Sequence, residues 1–378
     1  MNINLDSSKI IKIITPTSSM EKQKLKLILE DGSEFEGEAF GADVETEGEV
    51  VFSTGMVGYP ESLTDPSFED QILVCTFPLI GNYGVDHPEL DENGIIKNFE
   101  SNRIHIKGLV VSDYSEKFNH YEAKKSLSDW LKEHNVPGIS GIDTRALTKK
   151  IRTTGSLLGK IVKADSNYDK TFKDPNKTNL VAKVSTTEIQ TYGEGKKTIL
   201  LLDCGMKENI LRNIIKRGYK VIKAPWNFDF NNTDLKFDAV FLSNGPGDPA
   251  LLDEIVEKIR IAMKNGIPVV GICLGVQLLS IAAGAKTYKL KFGHRSQNQP
   301  CINEETGNCF LTSQNHGYAV DEATLPEDYK VWFRNANDGS VEGVKHKTKP
   351  YAAVQFHPES DPGPTDTNYI FDELLKLI

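Results

Sequence analysis

Cys273 stands between two glycines in Gly271-Ile272-Cys273-Leu274-Gly275, at the end of the apolar run Pro268–Ile272 and before a helical pattern, Leu274–Ala283. G-x-C-x-G across a strand-to-helix turn is the nucleophile-elbow arrangement. Such a turn strains the backbone of the nucleophile, and the flanking glycines let strand and helix come close. A thiol at a helix N-terminus sits in a field that favours thiolate. The N–H of Leu274 is then free to hold a developing oxyanion. A cysteine in a strand-to-helix turn is on its own more often a buried packing residue; the paired glycines and the placement turn the reading towards a nucleophile.

A thiolate nucleophile needs an acid–base partner. Most of the eight histidines lie in polar stretches, but His357 closes the apolar strand Tyr351–Phe356. Pro358 biases it to extended backbone at the mouth of a loop. Glu359, two residues on, can reach back to the imidazole, fix its tautomer and stabilise imidazolium. His-Pro-Glu alone is as readily a turn with a solvated carboxylate; beside an elbow cysteine it completes a Cys-His-Glu triad for attack on an acyl or amide carbonyl.

Two further segments are placed to hold a ligand. Asn244-Gly245-Pro246-Gly247-Asp248-Pro249 follows the strand Ala239–Ser243. Its glycines allow backbone N–H groups to approach a ligand outside the carboxyl end of a strand. Gln314-Asn315-His316-Gly317-Tyr318 reads as a polar loop after the strand Phe310–Ser313, with amides that suit an ammonium or a carboxylate.

The elements that must position these residues begin with Thr198–Asp203, a buried-type strand. Strands and helices then alternate: Lys207–Arg217 helix, Lys220–Ala224 strand, Ala239–Ser243 strand, Leu252–Lys264 helix, then the elbow strand and helix. That rhythm predicts a parallel, doubly wound α/β sheet. The first half is β-rich, with strands at Lys24–Leu29, Glu49–Ser53, Gln71–Phe77 and Gly108–Ser112. Asp31-Gly32 reads as a hairpin turn, and helices are expected at Tyr121–Lys132 and Arg145–Arg152. The chain's 378 residues exceed one ordinary core. The division is residues 1–22 as an N-terminal extension, 23–165 as the first domain, 166–197 as a linker and 198–378 as the doubly wound domain.

Composition narrows the class. A net charge of −9 without a basic stripe argues against nucleic acid as a partner. No apolar run approaches the roughly 18 residues of a membrane span, so no membrane partner is expected. Five cysteines with no C-x-x-C point away from a disulfide framework and from a zinc site, and no metal is expected. A reducing, cytoplasmic setting is expected first. A mitochondrial one is second, because residues 1–22 lack arginine and contain Asp6. Gly155–Lys160 imitates a phosphate loop but is one residue short and has Ile161 where a magnesium-binding hydroxyl belongs.

GICLGVQLL, SNGPGDP, QNHGYAV and QFHPE together resemble the class I glutamine amidotransferases, a flavodoxin-like doubly wound fold. The resemblance implies a triad of Cys273, His357 and Glu359. In the first half, Val51–Glu61, Leu63–Ser67, Gly81–Gly84 and Gly141–Arg145 are similar to the small subunit of carbamoyl phosphate synthetase, as is Asn298–Pro300 in the second. Gly55–Glu61 looks closest to the eukaryotic form at the front of the multifunctional pyrimidine-synthesis protein. The resemblance implies glutamine contacts at Ser67, Gly245, Gly247, Leu274, Gln277, Asn315, Gly317 and Tyr318. Ser67 would reach the site from the first domain, and Tyr318 replaces the commoner phenylalanine.

The implied activity is hydrolysis of glutamine to glutamate and ammonia through a γ-glutamyl thioester. The ammonia would go to a synthetase large subunit or fused synthetase domain, more for pyrimidine than for arginine supply. No cofactor is expected in this chain; ATP and magnesium belong to the synthetase. Two rivals are a γ-glutamyl hydrolase of the same fold, against which the first half argues, and a catalytically silent regulatory subunit, against which the intact triad argues.

Overall fold

The computed structural model describes residues 22–378. All but the last residue of the expected 1–22 extension therefore lie outside the described residues.

Seven strands of the first half close a barrel. Its order is Lys24–Leu29, Glu34–Gly41, Pro137–Ser140, Gly108–Val110, Gln71–Cys75, Thr46–Ser53 and Leu157–Lys163, the last pairing back to the first. Alternate residues serve two cores, as the twofold repeat of a strand requires. Leu27, Val50, Ile72, Val74 and Ile139 pack with Leu147 and Ile151 of the helix Thr144–Thr154. Val51, Leu73 and Leu109 pack with Leu127 and Leu131 of the helix Leu127–Glu133. That second helix corrects the expected Tyr121–Lys132. Ser126 caps it by accepting the Asp129 N–H, and the residues before it are held elsewhere, Lys125 bridging Val85.

The second half is built on a ten-stranded sheet. Its five parallel strands run in the order Lys220–Pro225, Thr198–Asp203, Ala239–Leu242, Val269–Ile272 and Tyr351–Val354. Leu200 and Leu202 face the helices Asp253–Lys264 and Leu274–Ala283. Ile199 and Leu201 face Glu208–Lys216 and Ile370–Leu375. Helices on both faces explain why these strands are apolar throughout. Beyond Tyr351–Val354 the sheet continues antiparallel through Val341–His346, Cys309–Asp321, Lys286–Asn303 and Tyr329–Asn335.

Two expectations change here. Gln314–Tyr318 is not a loop: it lies within the strand Cys309–Asp321, paired with Lys286–Asn303. The segment 166–197 also carries structure of its own. Gln190–Tyr192 adds an antiparallel edge strand to the sheet, and the short helix Val181–Val184 buries Val181.

Candidate active site

The strand Val269–Ile272 ends at Cys273, whose φ of 56° is one of three positive values among the described non-glycine residues. This is the strain the elbow requires, and it turns the chain into the helix Leu274–Ala283. A Cβ on Gly271 would lie 3.0 Å from the Gly275 Cα, and one on Gly275 would overlap the Leu242 carbonyl oxygen. Both positions therefore need glycine for the turn to close. The Cys273 N–H is fixed by Val354 O at 2.8 Å, while its Sγ lies 3.7 Å from the Asn315 carbonyl oxygen.

His357 is buried beside it. Its Nδ1 lies 2.6 Å from Glu359 Oε1, and its Nε2 has no hydrogen-bond partner among the described residues. Burial alone would push the imidazole down, but Glu359 and Cys273 outweigh it and raise His357 to about 10. Burial pushes Glu359 up, but Lys207 and then His357 hold it down at about 2. The ring is thus poised as imidazolium, anchored at one nitrogen and open at the other.

A tight cavity opens at Cys273. It is lined by Ser67, Gly245, Gly247, Gln277, Asn315, Gly317 and Tyr318, seven of the eight residues expected there. Leu274, the eighth, packs its side chain into the core and offers only its backbone N–H. Gly247 has φ 88°, and a Cβ on Gly245 would lie 2.9 Å from the Leu274 Cδ2. Gln277 donates to Tyr318 O and Gln355 Oε1, both at 3.0 Å. Burial, with Asp248 close by, pushes the Tyr318 phenol up, so the extra hydroxyl has a polar neighbour.

The N-terminal half closes one wall. Asn244 donates to Ser67 Oγ at 2.9 Å, and Asn315 to Asp65 Oδ2 at 2.9 Å. Glu49 and Gln71 extend this wall, Lys289 and Arg295 of the C-terminal half also line the cavity, and sequence reasoning missed all four. Glu49 is buried and pairs with Lys289 at 2.7 Å; burial pushes it up, but Lys289 and Arg295 hold it below the usual range. No local spacing links residues 49 and 289. Their only signal was charge in otherwise apolar or strand-like surroundings.

Behind the strand Cys309–Asp321, His294 places Nε2 2.9 Å from Asp338 and Nδ1 3.3 Å from Glu342, and His316 lies 3.6 Å from the same Glu342. Burial lowers His294, but the two carboxylates raise it to about 9. A folded-state pKa above the unfolded value near 6.5 gives stability that is full below pH 6.5 and lost as pH rises through 9. Thermal melts should therefore fall over that window, and His294→Gln should flatten the fall. Equal slopes in the two proteins would remove this role.

A family model for the class-I glutamine amidotransferases matches residues 200–377, and one for the CPSase domain of the carbamoyl-phosphate synthase small chain matches residues 27–161. The chain is 49% identical over 356 residues to the carbamoyl phosphate synthase arginine-specific small chain of Neurospora crassa, covering 93% of this chain and 79% of that one. It is 51% identical over 354 residues to the multifunctional protein CAD of Squalus acanthias, covering 93% of this chain and 16% of that protein. It is 46% identical over 400 residues to the multifunctional protein URA2 of Saccharomyces cerevisiae, covering 97% and 18%. The chain thus spans less than a fifth of these two multifunctional relatives.

Proposed function

Because the chain belongs to the carbamoyl-phosphate synthase small-chain family and carries its class-I glutamine amidotransferase domain, we propose that it hydrolyses glutamine and delivers the ammonia to a carbamoyl phosphate synthetase. The observation that carries this reading is the strained Cys273 beside an anchored His357, with the cysteine lining a cavity built by both halves.

The Cys273 thiolate attacks the side-chain amide carbon of glutamine. The N–H groups of Gly245 and Leu274 hold the oxyanion. His357 donates its proton to the nitrogen as the C–N bond breaks, so ammonia leaves and a γ-glutamyl thioester remains. A water then enters, gives a proton to His357 and attacks the thioester. Glutamate departs and the thiolate–imidazolium pair is restored. Glu359 keeps the ring oriented throughout. Ser67, Gln277, Asn315, Gly317 and Tyr318 hold the substrate.

The synthetase, as a separate large subunit or a fused domain, supplies ATP, magnesium and the carbamoyl chemistry. The Gly55–Glu61 run and the multifunctional relatives support pyrimidine supply, the arginine-specific relative the other branch. We favour pyrimidine supply; rescue of a Cys273→Ser strain by uridine and not by arginine is the expected result, and the reverse refutes it.

The test of the activity is glutamate release by the chain alone, then with a synthetase, bicarbonate and ATP titrated in. Slow release that the partner raises roughly 5- to 150-fold is expected, corresponding to about 1–3 kcal/mol of coupling expressed in the rate. No glutamate under either condition refutes the glutaminase reading. Full-rate release by the chain alone refutes the coupling only.

A further inference from the structure

Lys207 is buried, although it carries a long cationic side chain, and immediately precedes the helix Glu208–Lys216. Its Nζ lies 3.2 Å from Glu359 Oε1 and 3.3 Å from Glu100 Oε1. Glu359 belongs to the C-terminal half; Glu100 comes from the N-terminal half and is 2% exposed. One cation is thus suspended between two buried carboxylates, one of which holds His357. Burial pushes Glu100 up and opposes its ionisation, while Lys207 favours it.

Glu100 is itself held at several points. Its N–H donates to Thr64 Oγ1 at 3.0 Å, its carbonyl accepts the Glu208 N–H at 2.9 Å, and its carboxylate accepts the Asn209 N–H at 3.2 Å. It therefore caps the first turn of the helix from across the junction between the halves. Buried charges are expensive to desolvate, so an arrangement this tightly fixed invites a role beyond stability.

We propose that Glu100 is a positioning residue for the His357–Glu359 pair, acting through Lys207, so that the seating of the N-terminal half on the C-terminal half sets the protonation of His357. This rests on the glutaminase reading above. With Glu100 in place, the charge of Lys207 is shared, and Glu359 keeps a surplus of negative potential toward Nδ1. Without Glu100, the whole ammonium charge falls to Glu359, and imidazolium is disfavoured. A movement of the N-terminal half that lengthens the Lys207–Glu100 contact has the same effect, which gives a docked partner a route to the triad.

Other charged groups face this network. Arg212 acts on Glu100. Glu61, which burial raises to about 7, also feels Glu100, Asp361 and Lys207, so its inflection near neutral pH is read apart from the basic one. Cys273 faces the free nitrogen of His357, Arg295 lines the cavities on both sides of Asn315, and Asp65 and Glu61 lie on the N-terminal side near Lys207 and Glu100.

The experiment compares the full chain with Glu100→Gln, Glu100→Asp and Lys207→Met. It reads kcat/KM for glutamate release against pH and, independently of turnover, the rate of Cys273 alkylation by iodoacetamide against pH. Glu100→Gln should move the basic inflection down by about half a pH unit or more, and Lys207→Met should move it up. Glu100→Asp keeps the charge and should recover most of the shift. A purely structural Glu100 predicts a shortened side chain no better than the amide, with no change of inflection. An unmoved or raised inflection in Glu100→Gln, or no recovery in Glu100→Asp, overturns the proposal, whether or not Lys207→Met folds. A wild-type chain that releases no glutamate overturns the glutaminase reading, and the alkylation profile still decides the role of Glu100.

Discussion

Cys273→Ser abolishes glutamine-dependent carbamoyl phosphate synthesis and leaves ammonia-dependent synthesis by the same complex unchanged. The substitution replaces one small buried side chain by another at a residue whose positive φ is imposed by the turn, so the elbow and the cavity wall persist. The chemistry does not persist. A serine hydroxyl has no thiolate to offer, and an alcohol is a far weaker acid than a thiol for His357 to deprotonate. A loss of at least about a thousandfold in glutamate release is expected, leaving what the oxyanion donors and binding supply without a nucleophile. Ammonia added from solution bypasses the whole step. The measurement is paired: carbamoyl phosphate formed from glutamine and from ammonium salt, by wild-type and mutant complexes at equal occupancy. Unchanged glutamine-dependent turnover would sink the assignment of the nucleophile. Loss of both activities would instead show that the substitution damaged the assembly.

The site was legible in the sequence where its signals are local. The elbow is five consecutive residues, His357 and Glu359 are two apart, and Thr198–Asp203 and Leu274–Ala283 coincide with the observed elements to the residue. Hydrophobic runs identify strands that are buried on both faces. The same signal fails for Gln314–Tyr318, because its inward positions are Gln314, His316 and Tyr318 instead of aliphatic residues. They alternate as a strand should, but against a polar interior made by His294 and Glu342, so hydropathy reads a loop. Tyr121–Lys132 failed the other way: the periodicity ran on past Ser126, where the cap begins the helix. What no local pattern reveals are pairs joined by the fold alone. Glu100 meets Lys207, and Glu49 meets Lys289, across the junction between two halves. Barrel closure, which brings Leu157–Lys163 back to Lys24–Leu29, is equally non-local.

Gly245→Ala should lower glutaminase kcat by about 100- to 1,000-fold. The added Cβ would overlap the carbonyl oxygen of Cys204 and press on Leu274 Cδ2 at 2.9 Å. Cys204 is buried at the end of the strand Thr198–Asp203, its N–H tied to Ser243 Oγ at 2.9 Å, so it has little room to retreat. The loop after Ser243 must move instead, and it carries the N–H that the proposed mechanism aims at the oxyanion. Asn244, next to it, is bound to Ser67 of the N-terminal half, so displacement also strains the wall that holds the substrate. A shift of about an ångström in one donor is enough to lose that range of rate, because the interaction matters only at the transition-state geometry. The loss should therefore fall on kcat more than on KM. Steady-state glutamate release gives both constants, and ammonia-dependent synthesis by the assembled complex reports whether the fold and the docking survive. A Gly245→Ala protein with wild-type kcat would show that this N–H is not an oxyanion donor. A protein that loses ammonia-dependent synthesis as well would show that the glycine serves the packing of the two halves.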